Sequence, residues 1–329
     1  MKKQTFIFNI AGGLGKNIMA TAVVASIKKH HPESDIIVTS PWQVVWLNNP
    51  HVSKSLSLEE VPNFYEEYLK DKNCTMLRLE PYSAQDYFFR RKNLIEVWCD
   101  LCKVPYDGEL PQLYFTDKEM EIIKEKIFAD PEDKRPLFFI QPSGGPSNQQ
   151  YPISWARDLP ISIAEEVVAA MNEKGYRTIH LRRADQIALA GTEWISFNLR
   201  EAMGAVKFSD KRLFVDSFGA HAAAAWKLPS VVPWIVNSPT VFGYEMHTNI
   251  FPIAKEVFRH RIDSYLEAYD IGGKWHEHPY ESDKIFDSKI IVHRLDDLPA
   301  SYKPKKGESP FPKPVADTKA AGPASAKKA

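Results

Sequence analysis

The chain has 329 residues, 44% of them hydrophobic and 26% charged, an ordinary soluble composition with room for two domains and a sizeable core. Forty-two basic against 42 acidic side chains leave no net charge, so no global field draws the protein to nucleic acid or to an anionic membrane. No run of 18 apolar residues occurs, and MKKQTFIFNIAGG passes straight into a strand-like segment rather than a signal-peptide core, so a cytoplasmic protein without integral membrane contact is expected.

The first element is the strand-like TFIFNI, which runs through a glycine cluster into a helical pattern at 17 to 30. Glycines 12, 13 and 15 remove side chains where a backbone turns sharply or approaches a ligand, and the helix after them points free N–H groups back at the loop. An anion or a sugar oxygen would suit Gly12, Gly13, Gly15, Lys16 and Asn17; a plain strand-to-helix turn is the alternative. GGLGKN lacks the Walker A spacing and Ile18 breaks G-x-G-x-x-G, which argues against nucleotide hydrolysis and dinucleotide binding.

Further strand-like runs follow at DIIVTS, TMLRL, LFFIQ, TIHLR, RLFVDS and SVVPWIV, with helical periodicity at 117 to 128, 161 to 174 and 219 to 228. Such alternation predicts an α/β protein with parallel sheets covered by helices. Three cysteines, an odd number, suggest free thiols; Cys99 and Cys102 form a C-x-x-C on an apolar helical segment, with Cys74 the sole further sulfur, so four cysteines do not assemble a zinc site. The charged, proline-bearing FADPEDKRP at 128 to 136 is the best boundary between an N-terminal domain, 1–133, and a C-terminal domain, 134–302. LFFIQPSGG then repeats the opening theme of strand and small-residue loop, which suggests two similar halves with a ligand in the cleft between them. His276 and His278 in WHEHP can ligate a metal or sit in a solvated loop. From Lys303 the chain is rich in Pro, Ala and Lys, with seven lysines against Glu308 and Asp317; such a tail, 303–329, is expected to be disordered.

The most specific stretch is RLFVDSFGAHAAAAWKLPSVVPWIV, residues 212 to 236. A strand ends in Asp216 and Ser217, the chain turns at Gly219, and a small-residue helix carries His221 in its first turn. A hydroxyl, an imidazole and a helix N-terminus converge there on a point where a diphosphate can bind without metal; the other reading is that Asp216 and Ser217 cap the helix.

D-S-x-G-x-H-x-A-A-A resembles the hallmark of the heptosyltransferase-like glycosyltransferases of family 9, which have the two-domain GT-B fold. GLGKNIMATAVVASIKKHHPESDIIV, GELPQLYFTDKE and PSGGPSNQQYPISW are similar to three further family stretches, in the same order. The resemblance covers roughly residues 5 to 245. It implies two Rossmann-like domains facing across a cleft, an inverting and metal-independent transfer from a nucleotide sugar, and a glycan or lipopolysaccharide-like acceptor. The donor would sit against Ser143, Gly144, Gly145, Gln149, Asp216, Ser217, Gly219 and His221, and the acceptor against the first domain. No cofactor is implied. Two departures stand out: Lys16 occupies the place of the family's Asp base, and Gln149 that of a loop Lys. Lys16 can then neutralise phosphate but is a poor base. Asp86, Asp100 and His51 are the other candidates for that role. IHLRRAD, with Arg182 and Arg183, resembles instead the donor-phosphate segment of GDP-fucose-using fucosyltransferases. A binding or structural protein that keeps the fold without catalysis is the remaining alternative.

Overall fold

The computed structural model describes residues 3–57, 61–144, 157–235, 237–253, 284–304 and 308–313. The first half opens with β1 (Gln4–Asn9), α1 (Leu14–His30), β2 (Asp35–Thr39), β3 (Lys54–Leu56) and β4 (Asn73–Leu77). These four strands form one parallel sheet in the order β3-β2-β1-β4, with Phe8 of β1 beside Val38 and Leu77. After it come the single turn α2 (Gln85–Phe88), α3 (Leu94–Leu101) and α4 (Asp117–Ile127). Asn93 and Thr116 start α3 and α4 with reciprocal capping boxes to Glu96 and Glu119.

The second half contains β5 (Leu137–Gln141), α5 (Ile161–Glu173), β6 (Arg177–His180), α6 (Leu199–Ala205) and β7 (Lys211–Phe214). It continues with α7 (Phe218–Ala225), β8 (Val231–Pro233), the turn α8 (Pro239–Phe242), β9 (Thr248–Ile250) and α9 (Ser288–Asp296). Its sheet is parallel throughout in the order β6-β5-β7-β8-β9. The expected α/β architecture with parallel sheets is therefore present twice, within 4–77 and within 137–250, and the charged stretch 128–136 lies between the two sheets.

α1 and α7 lock the halves together. α1 lacks a polar face because it packs on α3 and α7 as well as on its own sheet, and residues 16 to 27 are buried along it. Small residues on both sides permit the close approach: Ala20 and Ala22 in α1, Ala222, Ala223 and Ala224 in α7, all in one apolar core with Phe8, Phe139 and Phe214. A second core, under β5, is closed by α5 and α9. Helices begin just past the carboxyl ends of β1 and β7, and those ends face the cleft between the halves.

Two three-residue strands, β3 and β9, escape sequence patterning because KSL and TNI are too short to display a period. One short piece of the expected tail is described at a contact with the body. Phe311 is 4% exposed, its ring stacks on Tyr106 at 5.3 Å, and Glu245 N–H donates to the Pro310 carbonyl at 2.7 Å. A single Pro-Phe pair packs there without any periodic face, so composition alone did not mark it. Residues 314–329 lie outside the described residues, as do His276 and His278. Among the described residues no helix is long and apolar enough to cross a membrane.

Candidate active site

The loop after β1 forms one wall. Gly12 takes φ +98°, and its carbonyl accepts from Trp42 Nε1 at 2.8 Å. Asn17 is fully buried, donates to the Gly13 carbonyl at 3.1 Å and accepts from the Ser40 hydroxyl at 2.6 Å. Asn17 therefore shapes the loop from behind. Gly15 must be glycine for packing: a Cβ there would stand 2.7 Å from His221 Cδ2 on α7. Lys16 turns its ammonium to the Glu80 carboxylate, at 2.7 and 2.8 Å, over the ring of Tyr82 at 4.5 Å. Burial lowers its pKa, and the Glu80 hydrogen bond opposes that shift. Its charge is matched by Glu80 within its own half, and its side chain still lines the cleft.

β5 and β7 build the facing wall. Gln141, at the end of β5, donates through Nε2 to Ser217 Oγ at 3.1 Å and accepts from Gly219 N–H at 3.1 Å. The first turn of α7 is thus capped by Gln141, and the Ser217 side chain makes no capping bond. A Cβ on Gly219 would lie 2.6 Å from Gln141 Oε1, which excludes any side chain there. Gly144 N–H donates to Asp158 Oδ1 at 2.7 Å, and a Cβ on Gly144 would press on Ser217. Asp216 accepts from Asn237 Nδ2 through one oxygen and lies 3.8 Å from His221 Nε2 through the other. The other ring nitrogen of His221, Nδ1, is 2.9 Å from the Tyr244 hydroxyl. Burial pushes the His221 pKa down to about 4, against a weaker opposing pull from Asp216, so the ring is neutral near pH 7.

Between the walls lies a cleft of about 1510 Å³. Gly13, Gly15 and Lys16 line it from the first half; Ser143, Asp216, Ser217 and His221 line it from the second. Arg182 and Arg183, past β6, line it too, Arg182 lying over the Trp194 ring at 4.8 Å. Gly12, Asn17, Gly144 and Gly219 support it from outside the lining, and Gly145 and Gln149 lie outside the described residues. Asp86, Asp100 and His51 do not line it; the two aspartates pair with Lys92. Cys99 and Cys102 sit at the end of α3 with thiol pKa values pushed up to about 12 by burial, so neither is a reactive thiolate.

Arg157 is the group that sequence reasoning missed. It lines the cleft, makes no hydrogen bond or ion pair among the described residues, and its charge acts on both Tyr82 of the first half and His221 of the second. A lone arginine in WARDLP carries no motif, whereas Gln141, a polar end to an otherwise apolar strand, was a visible signal. A guanidinium unpaired among the described residues, a Ser217 hydroxyl whose oxygen accepts from Gln141, and a neutral imidazole suit an anion with hydrogen-bonding oxygens. Among the described residues no cluster of three or more His, Cys, Asp or Glu is placed to hold a metal ion.

No protein-family model matches the chain, and no curated protein matches it. Solved structures do. The family 9 glycosyltransferase of Veillonella parvula is 12% identical, with 89% of this chain and 96% of that one covered at a TM-score of 0.63. The E. coli ADP-heptose LPS heptosyltransferase II is 13% identical, covered 89% and 98%, at 0.64. TibC, an iron-containing dodecameric glycosyltransferase of enterotoxigenic E. coli, is 14% identical, covered 91% and 77%, at 0.62. The fold is the GT-B fold of these glycosyltransferases, two parallel-sheet halves about a cleft.

Proposed function

We propose that the protein is a glycosyltransferase that binds the diphosphate of a nucleotide sugar against Ser217, His221 and Arg157 and presents the sugar to an acceptor on the first half. The observation that carries this reading is that the three donors line one cleft, Ser217 and His221 at the start of α7 and Arg157 near enough for its charge to act on His221. Transfer from a nucleotide sugar leaves negative charge on the departing diphosphate. Donors held in place by the fold stabilise that charge without reorganising. Arg157 supplies the positive charge, His221 a neutral N–H and Ser217 a hydroxyl, so the reaction needs no divalent ion. The likeness to the ADP-heptose-using heptosyltransferase II supports a nucleoside diphosphate donor. Inversion at the sugar, a glycan acceptor, a domain boundary near 133 and a cytoplasmic location belong to the same proposal.

The test is an incubation with ADP-, GDP- and UDP-sugars and candidate glycan acceptors, read as released nucleoside diphosphate. Release that persists in EDTA is the expected result. Absence of both binding and release over the whole panel would sink the reading.

A further inference from the structure

Tyr244, just past α8, is fully buried, and its ring meets that of His221 edge to face at 5.7 Å. A buried hydroxyl hydrogen requires an acceptor. Among the described residues, His221 Nδ1, at 2.9 Å, is the one hydrogen-bond partner of this hydroxyl. A neutral imidazole that accepts at Nδ1 carries its proton on Nε2. That nitrogen is the one turned towards Asp216, at 3.8 Å, and towards the Gly15 loop of the opposite wall. His247, the other imidazole against Tyr244, has its bonds elsewhere: Nδ1 accepts from Ser230 N–H at 3.2 Å and Nε2 faces the Ala220 carbonyl at 3.1 Å.

Three distant parts of the chain hold Tyr244 in place. Asn93, the N-cap of α3, donates to the Gly243 carbonyl at 3.0 Å. Glu245 N–H donates to the Pro310 carbonyl, and the Phe311 ring lies 6.1 Å from that of Tyr244 while stacking on Tyr106 of the first half. A side chain wedged between the halves thus backs the phenol that meets the site imidazole.

We propose that Tyr244 is a positioning residue of the cleft: its hydroxyl, backed by Phe311, donates to His221 Nδ1 and fixes the Nε2–H tautomer that faces the ligand. The tautomer follows from geometry alone, whereas its use rests on the diphosphate reading above. With Nε2–H, the ring gives a phosphate oxygen a hydrogen bond; with the proton on Nδ1, it would present a lone pair to an anion and repel it.

The experiment uses the full chain labelled with ¹⁵N-histidine, with His221 assigned by its loss in His221→Gln. Long-range ¹⁵N–¹H spectra read the tautomer, and calorimetry with ADP, GDP, UDP and inorganic pyrophosphate reads affinity. The wild type is expected to show Nε2–H at His221. Tyr244→Phe is expected to populate Nδ1–H and to weaken the best-bound of these probes by about tenfold. Phe311→Ala is expected to shift the spectrum in the same direction by less. An Nδ1–H signature in the wild type overturns the proposal without need of any variant, and so does an unaltered tautomer in folded Tyr244→Phe. A tautomer that shifts while probe affinity stays equal in wild type, Tyr244→Phe and His221→Gln supports the relay and overturns the diphosphate reading instead.

Discussion

Ser217 and Lys16 both have partners that their sequence context does not suggest. Ser217 sits at the cap position of α7, yet Gln141 satisfies the helix amide through Oε1 and donates through Nε2 to the Ser217 hydroxyl, which lines the cleft. Ser217→Ala should therefore leave the melting temperature within about a degree and weaken nucleoside diphosphate binding several-fold, whereas a capping serine would lose about 1 kcal/mol of stability. Lys16 resembles a phosphate ligand in sequence, and in the structure its ammonium is paired with Glu80, 64 positions along the chain. Lys16→Met is expected to keep diphosphate affinity within about twofold; a loss of ten-fold or more would return Lys16 to the binding site. What was legible at this scale was local. Asp216, Ser217 and His221 lie within six positions of one another, so a strand end and a helix start bring them together whatever the rest of the chain does. Glu80, Arg157 and Tyr244 reach the site through tertiary folding and leave no short-range trace.

The buried imidazoles add a pH prediction at the same scale. Burial lowers the pKa of His180 and His221 to about 4 and of His247 to about 3, all below the unfolded value near 6.5. The native rings stay neutral while the unfolded chain takes up protons, so this stabilisation is complete above pH 6.5 and declines as the pH falls towards 4. At pH 5 the loss should be up to about 2 kcal/mol per ring, read as a lower urea midpoint than at pH 7.5. Equal midpoints would show that the rings are not held neutral.

At the scale of elements, the contact of α1 with α7 and the seat of the tail carry the assembly. Gly15→Ala puts a methyl group 2.7 Å from His221 Cδ2, so the helices must part or the imidazole must move. A cost of about 1–3 kcal/mol is expected, with a further loss of diphosphate affinity because the displaced ring is the site histidine. Wild-type stability in this variant would mean that the two halves meet less closely. For the tail, a chain ending at Pro304 loses Phe311 and should melt several degrees lower, while one ending at Lys313 should match the full chain. Equal melting of both would remove the docked segment from the account. Most of the longer strands and helices were legible because they show their period, whereas α9, at Ser288–Asp296, was not read. The Phe311 seat was not, since it depends on a slot lined by Tyr106 and Tyr244 rather than on its own pattern.

Over the whole molecule, two parallel sheets with α1 and α7 between them bring one loop from each half to a common cleft. Alternating strand and helix periods foretold the sheets, and the repeated strand-loop theme at residues 7 and 137 foretold the pairing of halves. The electrostatics of the cleft were not foretold, because charge there is decided by which cations are already matched. Lys16 is paired and Arg157 is unpaired among the described residues, and only the folded chain separates them. The account therefore turns on Arg157. Titration of wild type and Arg157→Ala with ADP, GDP and UDP, alongside their melting temperatures, tests it most directly. The account predicts that the best-bound diphosphate loses roughly one to two decades of affinity in Arg157→Ala, with the melting temperature unchanged. Equal affinity in the two proteins, or no binding of any diphosphate by the wild type, would contradict it.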